Sequence, residues 1–91
     1  MPNRKMPIKK IRLELDGEYE GWWVVLRRNA PIGAFEKLQS QEMKEMIEGL
    51  SELILEWNFV DEEGKDLGEP SLETVRKLPV DLIAIISEKF A

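Results

Sequence analysis

The sequence predicts an α+β domain: a small antiparallel sheet, made of an N-terminal hairpin plus a third strand, packed with short helices on one face. Three observations carry that prediction. Apolar residues alternate with polar ones around Leu13, Val24 and Trp57, the period of half-buried strands. Between them, Met43, Met46, Ile47, Leu50, Leu53 and Ile54 recur at three-and-four spacing, the period of a helix with one apolar face. And 91 residues suffice for a single modest core but not for two. The expected division is a basic N-terminal arm over residues 1–8 and one domain over 9–91.

The first ordered unit is a hairpin with strands near 9–15 and 21–28. Asp16-Gly17 invites a two-residue turn, but that register sets Leu13 against Glu20 and Leu15 against Glu18. A four-residue loop, Gly17 to Glu20, pairs Leu15 with Trp22, Leu13 with Val24 and Ile11 with Leu26 instead. Register follows the hydrophobic pattern wherever one face is buried, so the longer loop is expected. Trp23 and Val25 then point to the opposite face, beside Arg12 and Glu14.

Asn29-Ala30-Pro31 breaks the chain and starts a short helix through Leu38, which Gly33 weakens. Ser40 is a candidate cap for the second helix. Gly49 inside that helix costs about 1 kcal/mol against Ala, which marks it as a point of close packing. A third strand over 54–60 follows, with Leu55, Trp57 and Phe59 alternating with Glu56 and Asn58; Leu53-Ile54-Leu55 reads equally as helix or strand. Two strands alone are marginal in water, so this one is expected to join the hairpin. Gly64 supplies the positive φ that reverses a polar loop over 61–70. Ser71, with Glu73 in the first turn, caps a helix over 71–77, and Pro79 suits the first position of a last helix over 79–90.

Composition narrows the function classes. No apolar run approaches the roughly 20 residues that cross a membrane, and Met1–Lys10 is charged without a following apolar stretch, unlike a secretory signal. Cysteine is absent, so a cytoplasmic location is the expectation. The net charge of −5 is uneven: residues 1–28 carry seven Lys/Arg and four Asp/Glu (+3), residues 29–91 six and fourteen (−8). An acidic body argues against a nucleic-acid partner, whose phosphates a binder must neutralise. The asymmetry fits head-to-tail association or the receipt of a basic partner; solvated Glu-rich helix faces are its plainer explanation.

Catalytic chemistry finds little footing. Without His or Cys there is no Ser-His triad, thiol nucleophile or usual zinc set. Gly17 and Gly21 flank an acidic tip that repels phosphate. Aligning Gly64 with the invariant glycine of a calcium loop puts Asp61 and Glu63 at ligand positions, but Phe59 at the first ligand and Pro70 at the bidentate glutamate, so the motif fails. Paired carboxylates would need a cleft of about 300–1,000 Å³, rare in so small a domain. No enzyme, metal or cofactor is expected.

The last third of the chain has a distinctive order: Trp57-Asn58-Phe59, then Asp61-Glu62-Glu63-Gly64-Lys65, then Pro70-Ser71-Leu72-Glu73, then Leu78-Pro79-Val80-Asp81-Leu82. In order and spacing it resembles the tail assembly chaperones of long-tailed bacteriophages, over about the last forty residues. The resemblance implies a protein that coats the hydrophobic tape measure protein while the tail tube polymerises and is absent from the finished particle. It further implies a short form beside a longer, frameshifted one, with this chain the short form, and no cofactor or catalytic residue. The alternative is a small phage structural subunit or a regulatory protein-binding module without enzymatic activity.

Apolar residues beyond the needs of one core are the candidate interface. The last helix carries Leu82, Ile83, Ile85 and Ile86 over an arc wider than a surface helix requires, and the hairpin adds Trp23 and Val25 on the face away from the core. Taken singly, each reads more readily as core: Trp23 under a helix, Ile85 under the preceding short helix. Together they predict a protein interface, with the tape measure protein and a second copy of the chain as the expected partners.

Overall fold

The structure, a computed structural model, describes residues 4–90; the outermost residues of the predicted arm, 1–3, and residue 91 lie outside it. Strand β1 (Lys10–Glu14) and strand β2 (Trp23–Arg27) form the hairpin, and β3 (Ile54–Trp57) adds to β2, giving an antiparallel sheet in the order β1-β2-β3. Helices α1 (Ile32–Leu38) and α2 (Met43–Leu53) connect β2 to β3, and α3 (Leu72–Val75) and α4 (Val80–Phe90) follow. The α+β fold is as the sequence predicts.

The hairpin register is the one that collects the aliphatics. Ile11 pairs with Leu26 and Leu13 with Val24, and the Leu15 amide donates to the Trp22 carbonyl at 2.9 Å. The loop carries a 3₁₀ turn at Gly17–Tyr19, entered and left by Gly17 (φ 64°) and Gly21 (φ 89°), backbone values that side chains resist. Val24 and Leu26 are wholly buried, and the core they begin continues through Leu50, Leu53, Ile54, Phe59, Val75, Leu78, Leu82, Ile83 and Ile86.

The third strand departs from expectation in length and phase. It ends at Trp57 instead of continuing to residue 60, and its pairing slips by one residue: Val25 faces Glu56, but Leu26 faces Ile54. Leu55 is the extra residue of a bulge. The predicted trio of Leu55, Trp57 and Phe59 therefore splits. Ile54 takes the core position, while Leu55 is half-buried outside the core cluster. The Leu53-Ile54-Leu55 run is helix end and strand start at once, and the bulge reconciles the two periods. Beyond the strand, Asn58 continues the ladder with its side chain: Oδ1 accepts from the Trp23 amide at 2.8 Å and Nδ2 donates to the Gly21 carbonyl at 3.0 Å.

The helix boundaries shift for local reasons. Helix α2 starts after Glu42, not Ser40, whose hydroxyl accepts the Glu42 amide in a turn before the helix. Gly49 is the expected contact point: a Cβ there would lie 2.7 Å from the Leu38 nitrogen and 2.9 Å from the Ala34 carbonyl. Ser71 caps α3 as expected, though through Thr74: the Ser71 hydroxyl accepts from the Thr74 amide and Thr74 Oγ1 from the Ser71 amide. That helix spans one turn instead of the predicted 71–77. Pro79 stands just before α4, its carbonyl accepting from Ile83.

Candidate protein interfaces

Among the described residues, the helices pack on the sheet face that carries Val24 and Leu26. On the other, β1 contributes Arg12 and Glu14, β2 contributes Trp23 and Val25, and β3 contributes Glu56, with Val25 paired between Arg12 and Glu56. The Arg12 guanidinium lies 4.6 Å from the Trp23 ring centroid and 3.6 Å from the Glu14 carboxylate. This cation–π contact shields part of the indole while leaving it half-exposed. Val25 is buried, at 9% exposure, without belonging to the common core cluster.

The six predicted interface residues divide accordingly. Trp23 and Val25 do lie on the outward face. Leu82, Ile83 and Ile86 do not form surface at all: their relative exposures are 0, 3 and 0%, within the common core. Ile85 is half-buried against that core. The arc of α4 is wide because the small core takes up most of it, and Val80, 68% exposed, is its principal open apolar residue.

Three grooves score the surface at sizes the chain length does not suggest. One of about 710 Å³ runs beside β3, lined by Trp23, Leu55, Trp57 and Pro70 with Glu56, Asp66 and Glu69 among its polar residues. Leu55, displaced by the bulge, and Trp57, whose Nε1 donates to the Gly68 carbonyl at 2.7 Å, extend the aromatic face around the edge of the sheet. A second, of about 580 Å³, lies between Phe35, Leu38, Phe90 and the hairpin base. The third, of about 600 Å³, has a floor of Trp22, Val60, Leu67, Leu78 and Pro79 under a rim of Asp61, Glu62, Glu63 and Lys77. Trp22 is held in place by Tyr19 and Phe59, each with ring centroids 5.2 Å away.

The acidic loop is ordered by its own backbone. Asp61 Oδ1 accepts from the amides of Glu63 (2.8 Å) and Lys65 (2.9 Å), and Gly64 turns the chain at φ 84°. Among the described residues no group of three carboxylates gathers as a metal site, and no helix is long and apolar enough to cross a membrane.

The sequence reading missed the grooves because each is assembled from segments far apart in the chain. Leu55 could have been flagged from its ambiguous run; Leu67 and Pro70 could not. Exposed Met6 (78%) and Ile8 (57%), apolar residues inside a basic arm, were visible in the sequence as a mismatch with their surroundings. Comparison with protein-family models, with curated proteins and with solved structures returns no match to this chain.

Proposed function

We propose that the protein is a protein-binding module without enzymatic activity, and specifically a phage tail assembly chaperone of the short form, acting on the tape measure protein in the host cytoplasm. The observation that carries the binding role is the outward sheet face, where Trp23 and the bulged Leu55 stay half-buried and line a groove to which none of the described helices contributes. The specific reading rests on the ordered segments from Trp57 to Leu82 that resemble that family. An apolar strip flanked by Arg12, Glu14 and Glu56 suits the amphipathic helical stretches of a tape measure protein: the strip covers apolar residues, the charges keep the complex in solution.

Co-expression tests it. A tape measure protein that is insoluble alone should become soluble with this chain and co-purify with it. Trp23→Glu with Leu55→Glu should abolish that effect while far-UV circular dichroism stays unchanged, since neither side chain belongs to the core. Ile83→Asp is the wrong probe, because it unfolds the core. A tape measure protein equally insoluble with and without the chain would falsify the chaperone reading, and stoichiometric copies in mature virions would identify a structural subunit instead.

A further inference from the structure

We infer that the chain self-associates head to tail, the basic arm of one copy seating in the acidic-rimmed apolar groove of the next. The arm, residues 4–9, is exposed throughout and carries Met6 and Ile8 open to solvent. Residues 4–10 hold Arg4, Lys5, Lys9 and Lys10 and no carboxylate, a charge of +4. The groove under the Asp61–Glu63 turn has the opposite character: an apolar floor including Trp22, Leu67 and Leu78, and a rim of three carboxylates against Lys77, a balance of −2. Of the three large grooves, the one at Phe35 and Phe90 presents Arg28 and Lys89, which disfavour a basic segment. The groove beside Trp23 is acidic too, but it adjoins the outward sheet face assigned above to another partner.

A chain cannot fill its own groove. The arm leaves from Lys10, paired with Arg27, while the groove begins at Trp22, at the other end of the hairpin. Lys10 to Leu15 alone spans about 17 Å of strand. The arm's base is also fixed: Asn29 Oδ1 accepts from the Lys9 amide (2.9 Å), Asn29 Nδ2 donates to the Pro7 carbonyl (2.7 Å), and the Arg28 amide donates to the Lys9 carbonyl (2.6 Å). Ile8, between those anchors, is held some 20 Å from its own chain's groove and facing solvent, where a second copy can meet it. Donor and acceptor surfaces differ, so the contact is heterologous and propagates as a ring or a filament.

The choice of this groove over the one beside Trp23 rests on the partner proposed above, but the test needs no such partner: it uses this chain alone, by sedimentation velocity over a range of concentrations and salt. Association should appear at low salt and weaken as salt rises. Met6→Glu with Ile8→Glu should weaken it about tenfold or more. Two charge-reversed chains, Arg4→Glu/Lys5→Glu and Glu62→Lys/Glu63→Lys, should each stay monomeric, yet associate when mixed, because each then supplies the arm the other's groove accepts. All six substituted positions in these variants are exposed, and circular dichroism verifies their fold. A wild-type chain monomeric at every concentration overturns the inference. So does association unaffected by the Met6/Ile8 change, association lost instead with Trp23→Glu, or failure of the mixed chains to associate.

Discussion

Gly49 shows how one residue can set the distance between two helices. Ala is the better helix former by about 1 kcal/mol, so Gly49→Ala would stabilise an isolated α2. In the protein the new methyl would meet the backbone of α1, 2.7 Å from Leu38 nitrogen and 2.9 Å from Ala34 oxygen, neither of which can rotate aside. Overpacking of that kind costs about 1–3 kcal/mol and exceeds the propensity gain. Gly49→Ala is therefore expected to lower stability in urea denaturation, whereas Gly33→Ala, with nothing within 4 Å of the new Cβ, is expected to raise it. The close approach at Gly49 was legible because a helical glycine on an apolar face needs a reason. The burial of Leu82, Ile83 and Ile86 was not, since an arc of isoleucines looks the same whether a core or a partner encloses it.

At the scale of elements, the hairpin was the most legible part and the third strand the least. Alternation fixed on one face leaves a single workable register for β1 and β2. In β3 the choice between Ile54 and Leu55 for the core depends on where α2 ends, which no local pattern decides. The hairpin tip and α4 are joined across 62 positions by Tyr19, whose hydroxyl donates to both oxygens of Asp81 at 3.0 and 3.1 Å. Burial and then the Asp81 carboxylate push the Tyr19 phenol above its ordinary value. A raised folded-state value means the native state holds the proton more tightly, so this stabilisation is complete below the unfolded pKa of about 10 and is lost as pH rises through the higher folded one. Tyr19→Phe should thus be less stable than the parent at neutral pH, with the difference shrinking in strong alkali. Thermal melts at neutral and alkaline pH measure it. A gap that stays constant or widens would show that the phenol–carboxylate bond does not stabilise the fold.

For the molecule as a whole, a one-sided sheet explains both its modest core and its spare surface. Among the described residues, helices pack on one face of the sheet, and the other carries Trp23, Val25 and charged neighbours. The charge asymmetry visible in the sequence becomes geometric: the +3 half includes the projecting arm and the −8 half includes the groove rim. That half of the candidate surface could be anticipated from composition. The grooves could not, because Trp22, Leu67 and Leu78 meet only once β2, the Gly64 turn and the approach to α4 are in place.

The Asn29 clamp also makes the boundary between arm and body a matter of protease access. Trypsin needs an extended, unpaired segment, which Arg4 and Lys5 offer and Lys9 does not: its amide and carbonyl are both engaged, with Asn29 and Arg28. Brief digestion should trim the chain after Lys5 and stop there, giving one stable fragment beginning at Met6. Asn29→Ala frees the Lys9 amide and the Pro7 carbonyl, so cleavage at Lys9 should appear at the same protease dose. Mass spectrometry of the two digests would read, residue by residue, where the ordered body begins.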